Sequence, residues 1–222
     1  MSIFVSDVHG CYETLMRLID KLPKDEKIFF TGDLIDRGPK SKEVVDFIIK
    51  NNMMSILGNH EDMVCRGFHT WLDNGAQATI KSYDLEWFSL KNRNMTSDEK
   101  VLSFKAHKKW MGTLPLYLII DGEVDAKGRK VLLTHSSASE AWRIPEEDRD
   151  MSTWFKDLLI WERDYDPQPI EGLFNIFGHT PIKKPLINDH YAAIDTGAVF
   201  GYKLTALRFP QMKIYQQDFI DV

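Results

Sequence analysis

Ile28-Phe29-Phe30-Thr31-Gly32-Asp33-Leu34-Ile35-Asp36-Arg37-Gly38-Pro39 opens on three apolar residues and then turns abruptly polar. The apolar triplet reads as a short buried strand, and the Gly, Asp and Pro that follow read as a loop. The same change occurs on both sides of it. Upstream, Ile3-Phe4-Val5 runs into Ser6-Asp7-Val8-His9-Gly10, and downstream Met53–Leu57 runs into Gly58-Asn59-His60-Glu61-Asp62. Between these strands, Leu15, Leu18, Ile19 and Leu22, and then Val44, Val45, Phe47, Ile48 and Ile49, recur at helical spacing. Short strands alternating with helices predict parallel βαβ units.

Further along, 61–114 reads as mostly helical, with Thr96 and Glu99 spaced as a capping box. The last hundred residues are strand-rich. Tyr117–Ile120 and Val131–Thr134 flank turn signals at Asp121-Gly122 and Lys127-Gly128. Leu173–Phe177, Ala192–Ile194, Leu204–Leu207 and Lys213–Tyr215 follow. No repeat or Pro/Gly/Ser linker divides the chain, so residues 1–222 are expected to form one α/β domain with a helical insertion.

Composition narrows the function classes. The 222 residues carry 28 Lys+Arg against 33 Asp+Glu, a formal net charge of -5, which argues against extensive nucleic-acid binding. No apolar run approaches the ~20 residues of a membrane span, so no membrane partner is expected. The N-terminus lacks a signal-peptide pattern, and two cysteines make no disulfide framework, so a cytoplasmic location is expected.

Unusual residues gather just after the strands. Two later strands lead into Thr134-His135-Ser136 and Gly178-His179-Thr180-Pro181, which makes five such loops. In α/β sheets ligands bind outside the carboxyl ends of strands, so these loops are placed to converge on one crevice. Asp7 and His9, two apart on a segment read as extended, are expected on one face. Carboxylate, imidazole and amide oxygen without thiolate suit divalent transition metals. Of the seven histidines, His9, His60, His135 and His179 sit in this context, while His69, His107 and His190 do not.

Asp-x-His-Gly, Gly-Asp-x-x-Asp-Arg-Gly and Gly-Asn-His-Glu, in that order, resemble the calcineurin-like metallophosphoesterases. The later Gly-His-Thr-Pro and Ile-Asp-Thr-Gly-Ala-Val-Phe segments look most similar to the phosphoprotein phosphatases of the bacteriophage lambda type. The resemblance implies a mixed β-sandwich flanked by helices. It implies Asp7 and His9 on a first metal, Asp33 bridging two, and Asn59, His135 and His179 on the second. Manganese is the first expectation, and iron and zinc suit the same ligands. A hydroxide bridging the two ions would attack phosphorus directly. Arg37 and Arg163 would bind phosphoryl oxygens, and His60, oriented by Asp36, would protonate the leaving group.

The substrate implied first is phosphoserine or phosphothreonine in a protein, with phosphotyrosine as an extension. Diadenosine-tetraphosphate hydrolases of the symmetrical kind share these blocks, as do enzymes of nucleic-acid ends. They more often carry Asp where this chain has Glu61, which favours the protein substrate. A metal-stabilised interaction module is the non-enzymatic alternative. Substrate choice is expected in 62–114 and 136–161, where Trp142, Phe155, Trp154 and Trp161 are either a groove or core. Asp195 is either a turn residue or a partner of a metal-bound histidine. Cys11 and Arg17 match Cys-x5-Arg, but Tyr-Glu-Thr-Leu-Met between them reads as helix rather than a thiolate cradle. Lys105–Lys109 reads as a solvated helix face.

Overall fold

A computed structural model describes residues 1–86, 98–149 and 153–222. Strands β1 (Ser2–Val5), β2 (Lys27–Phe30) and β3 (Met54–Ser55) alternate with helices α1 (Tyr12–Lys21) and α2 (Ser41–Lys50). All three strands are parallel, with Ile3 opposite Ile28 and Phe29 opposite Met54. β9 (Lys203–Phe209) pairs antiparallel with β1, and β10 (Lys213–Asp218) with β9, giving the sheet order β10-β9-β1-β2-β3.

The second sheet has the order β4-β5-β6-β8-β7. It is built from β4 (Tyr117–Val124), β5 (Lys130–Thr134), β6 (Leu173–Phe177), β7 (Leu186–Ile187) and β8 (Tyr191–Ala193). β5, β6 and β8 are parallel, and β4 and β7 are antiparallel at the edges.

Alternation along the strands sets the layers. Phe4, Phe29 and Leu207 of the first sheet meet Val131, Leu133, Phe174 and Ile176 of the second in one buried cluster. The neighbours Ile3, Val5 and Phe30 point the other way, onto Leu15, Leu18, Val44 and Ile48 of α1 and α2. On the outer face of the second sheet, Leu132 packs against Phe155, Leu159 and Ile160 of α8 (Thr153–Trp161). The result is the expected sandwich of mixed sheets between helices, and it brings the carboxyl ends of β1, β2, β3, β5 and β6 to one rim.

Among its described residues the insertion is helical as expected. It comprises α3 (Asn59–Arg66), α4 (Phe68–Leu72), α5 (Ala76–Ser82) and α6 (Glu99–Met111); a short α7 (Glu146–Arg149) lies further on. Three local expectations change. Thr96 lies outside the described residues, and α6 is capped by Asp98, whose side chain accepts from the Lys100 N–H at 2.8 Å. Asp121-Gly122 is not a turn, because β4 continues to Val124 through a register irregularity after Ile120. The hairpin turn lies at Asp125–Arg129, over the expected Lys127-Gly128 signal, where the Asp125 side chain accepts from the Lys127 and Arg129 N–H groups. The third strand is shorter than 53–57, since only Met54 and Ser55 pair with β2 in register. Among the described residues, no helix is long and apolar enough to cross a membrane.

Candidate metal centre

Backbone and side-chain hydrogen bonds tie the loops together. The Val8 and His9 N–H groups both donate to Asp33 O at 3.1 and 2.8 Å, and Gly178 N–H donates to His135 O at 2.9 Å. Asp7 Oδ1 accepts from Thr31 Oγ1 at 2.8 Å, and its Oδ2 accepts from His179 N–H at 3.0 Å. A Cβ on Gly178 would fall 2.0 Å from Asp7 Oδ1, so only glycine admits that carboxylate. His9, Asp33, Asp36, Arg37 and His179 all have φ between 46° and 73°, a region that non-glycine residues seldom occupy. Such strain persists where surrounding structure over-determines it, and here it collects at one place. His9 is therefore not extended, as the two-residue spacing implied. A left-handed kink at His9 itself, rather than strand alternation, turns its ring into the crevice.

Asp33 is central. Its Oδ2 lies 3.5 Å from His9 Nε2 and 3.9 Å from His60 Nε2, and its Oδ1 lies 3.4 Å from His135 Nε2. Asn59 Oδ1 is 2.9 Å from His135 Nε2 and 3.1 Å from His179 Nδ1, and those two nitrogens are 3.1 Å apart. The outer ring nitrogens of His9, His135 and His179 face backbone carbonyls. His9 Nδ1 meets Ile35 O at 2.8 Å, His135 Nδ1 meets Thr31 O at 2.8 Å, and His179 Nε2 meets Trp161 O at 3.3 Å. Outward N–H donation of this kind leaves lone pairs directed inward, the arrangement that orients histidines on a metal.

The residues fit divalent cations on this donor chemistry. His9, Asp33 and His60 place one ligand atom each within 4.8 Å of one another, and so do Asp33, His135 and His179. Oxygen and imidazole donors without sulfur suit manganese, iron or zinc alike. The electrostatics call for positive charge. Burial, with Asp195 and Asp33 nearby, raises the Asp7 carboxyl well above the usual range. Burial opposes charge on His135, yet the Asp33 carboxylate outweighs it and pushes the ring up to about 10. Burial, with His135 beside it, pulls His179 down to about 3. A divalent cation meets that demand and displaces the proton.

The remaining expected residues divide by exposure. His60 Nδ1 is 2.7 Å from Asp36 Oδ2, and among the described residues the buried His60 Nε2 has no hydrogen-bond partner. Asp36 is held further by Trp71 Nε1 at 2.8 Å and by Thr79 Oγ1 at 2.6 Å. Arg37 is exposed, and its Nη1 lies 2.7 Å from His9 Nε2. Arg163 is exposed and close enough to His179 to depress that ring's proton affinity. Its neighbour Asp164 accepts from Ser139 Oγ at 2.7 Å, tying the segment to the loop after His135.

Two roles, those of Glu61 and Trp71, were not legible in the sequence, and Asp195 takes the turn position that was one of its two readings. Glu61 is fully buried and clamps the Asp33 loop: its carboxylate accepts from Asp33 N–H and Leu34 N–H at 2.9 Å and from Gly58 N–H at 3.1 Å. Burial and the Asp33 charge push Glu61 up to about 7, against the pull of those donors. Because Glu61 faces backbone, its identity carries no direct information on substrate. Asp195 is buried, accepts from Gly197 N–H at 2.8 Å, and is pushed up to about 6 by burial and by Asp33. Trp71, fully buried, reaches Asp36 from outside any motif. The aromatic set also separates: Phe155 is core and Trp142 packs on it, whereas Trp154 is exposed. The Trp161 ring lies 6.5 Å from His179. Burial raises the Cys11 thiol, against a thiolate nucleophile there.

A buried carboxylate set between imidazole groups, with Arg37 and Arg163 exposed nearby, is a donor set able to hold divalent cations. The chain belongs to the calcineurin-like phosphoesterase family, whose model matches residues 2–211. It is 28% identical over 236 residues to an asymmetrical bis(5'-nucleosyl)-tetraphosphatase PrpE of Anoxybacillus flavithermus, covering 94% of this chain and 90% of that protein. A Bacillus anthracis protein of the same description is 28% identical over 239 residues, covering 94% and 90%. Among solved structures, a candidate diadenosine tetraphosphatase aligns over all of this chain and 94% of its own, with a TM-score of 0.66 and 18% identity. A Saccharomyces cerevisiae protein serine/threonine phosphatase aligns over all of this chain and 80% of its own, with a TM-score of 0.57 and 14% identity.

Proposed function

We propose that this chain is a dinuclear metallophosphohydrolase whose substrate is a dinucleoside tetraphosphate, cleaved asymmetrically. This sets the alternative reading of the sequence above the protein-phosphatase reading, and replaces its symmetrical cleavage with the asymmetrical kind. The observation that carries it is the similarity to bis(5'-nucleosyl)-tetraphosphatases along 94% of the chain. Glu61, the residue that had pointed to a protein substrate, packs on backbone instead.

Asp7, His9 and Asp33 would hold one divalent ion, and Asp33, Asn59, His135 and His179 the other. When bound, such a pair supplies Lewis acidity toward phosphoryl oxygens and makes coordinated water more acidic. Arg37 and Arg163 neutralise non-bridging oxygens at the rim, where a planar guanidinium matches phosphate. The Asp36 carboxylate fixes His60 with its free Nε2 facing the crevice, placed to give a proton to the departing oxygen. Manganese remains the first metal to test.

Phosphoserine or phosphothreonine in a protein is the rival substrate for the same residues. Chelation, manganese re-addition and side-by-side kcat/KM on diadenosine tetraphosphate and a phosphoserine peptide separate the two. Preference for the dinucleotide, with AMP and ATP as products, supports the proposal. Preference for the peptide overturns it and leaves the metal centre intact.

A further inference from the structure

Two large aromatic side chains stand in solvent beside the phosphate-binding arginine. Phe200 is 54% exposed and Tyr202 is 61% exposed, although each ring would gain from burial. They follow the buried Asp195-Thr196 pair, on the connection that enters β9. A Cβ on Gly197 would lie 3.3 Å from Tyr202 Cδ2, 3.5 Å from Phe200 Cδ2 and 3.5 Å from Pro181 Cβ. The two rings and the exposed Pro181 therefore converge over that glycine as one patch. Pro181 is itself two residues beyond His179.

The patch is joined to the centre by Arg37. Its Cζ lies 5.5 Å from the Phe200 ring centre while its Nη1 lies 2.7 Å from His9 Nε2. One guanidinium thus spans the interval between an aromatic face and a candidate metal ligand, an interval that a nucleotide covers between its phosphate and its base. Planar cations and nucleobases stack on the same aromatic faces.

We propose that Phe200 and Tyr202 form the platform on which one base of a nucleotide substrate stacks while Arg37 engages the adjacent phosphate. This rests on the nucleotide reading of the site and adds a specificity determinant to it. The platform discriminates by the presence of a base and not by the phosphoryl chemistry. It therefore affects nucleotides and leaves small phosphoesters alone.

The test compares AMP with ribose 5-phosphate as inhibitors of glycerol 2-phosphate hydrolysis, in the wild type and in Phe200→Leu, Phe200→Trp and Tyr202→Leu. Base stacking predicts that AMP binds the wild type more tightly by about 5- to 100-fold. Phe200→Leu should bring that ratio close to one, Phe200→Trp should preserve it, and Tyr202→Leu should narrow it. Equal inhibition of the wild type by the two ligands overturns the platform. So does a Phe200→Leu variant that weakens both ligands alike, since the ring would then act only by supporting Arg37. The readout needs no dinucleotide cleavage. An enzyme that distinguishes AMP but spares diadenosine tetraphosphate refutes the proposed reaction and keeps the platform. One that cleaves the dinucleotide but treats the two ligands alike does the reverse.

Discussion

His60 and Asp36 form a buried pair, Nδ1 to Oδ2 at 2.7 Å, in which the His60 Nε2 has no hydrogen-bond partner among the described residues. The carboxylate is saturated by Trp71 and Thr79, so it cannot turn away from the ring. One nitrogen is thereby fixed and the other is aimed at the crevice.

A proton donor matters in proportion to the basicity of the leaving oxygen. His60→Asn should lower kcat on glycerol 2-phosphate by about 10²- to 10⁴-fold, the range for general acid catalysis. It should lower kcat on diadenosine tetraphosphate much less, because a departing phosphate needs little help. Metal content decides against a ligand role: the variant should retain the metal stoichiometry of the wild type. A loss of one equivalent would make His60 a ligand with His9 and Asp33.

Asp33 touches both halves of the centre, with its two oxygens facing His9 and His135 respectively. Adding metal at a hundred times its Kd should raise unfolding free energy by about 3 kcal/mol. Chelation should reverse this, read as a fall in Tm. In Asp33→Asn the metal-dependent rise should shrink sharply. An unchanged rise would place the cations elsewhere.

Glu61 offers a direct check on how its position should be read. Glu61→Asp withdraws the carboxylate by one methylene from the N–H groups of Asp33 and Leu34. Leaving buried donors unpaired should cost about 1–3 kcal/mol in urea unfolding. The ratio of kcat/KM between dinucleotide and phosphopeptide should stay constant, even as both values fall. A swing in that ratio would return Glu61 to substrate selection.

Those three positions show where the sequence was legible. Asp33, Asn59 and His60 stand in motifs whose residue types and order announce metal chemistry, and the parallel strands beneath them follow from apolar triplets. Glu61 lies in the same motif, yet its task depends on which backbone groups face it, and one residue's type does not state that. Trp71 reaches the site from a segment outside every motif, so only the folded chain brings it in. The left-handed kinks at His9 and His179 were equally hidden, because neither residue is glycine. Of the two turn signals after Ile120, Lys127-Gly128 marks the hairpin, whereas Asp121-Gly122 occupies a sheet irregularity, because Asp-Gly marks turns only on average.

His107 carries a pH signature away from the centre. Its Nδ1 is 2.7 Å from the Tyr83 hydroxyl and its Nε2 is 3.3 Å from Asp46 Oδ1. Burial lowers its proton affinity below the usual histidine value, with Asp46 opposing and Lys42 assisting. A depressed folded-state value means that the unfolded chain takes up the proton first. The neutral ring's contribution is then complete above about pH 6.5 and declines as pH falls below it. Comparing urea midpoints at pH 7.5 and 5.5, His107→Gln should lose less stability on acidification than the wild type. An identical loss would show that His107 titrates as it does unfolded.

The N-terminus of α1 is capped from the far end of the sequence. Cys11 at the cap position offers no side-chain bond, and Asp221 accepts instead from the Glu13 N–H at 2.9 Å and the Thr14 N–H at 3.0 Å. The Thr14 hydroxyl adds a bond to Asp221 at 2.6 Å, and both of these side chains are buried. A carboxylate at a helix N-terminus satisfies orphan donors and meets the positive end of the dipole. Asp221→Ala should therefore cost about 1–2 kcal/mol, the range for a lost cap, with the urea m-value unchanged. Asp221→Asn keeps one acceptor and should recover part of that. Because α1 begins just after His9 and Gly10, the holoenzyme's metal affinity is the sensitive second readout. An alanine variant within about 0.5 kcal/mol of wild type, as for an ordinary surface change, would show that water replaces Asp221 at this helix end.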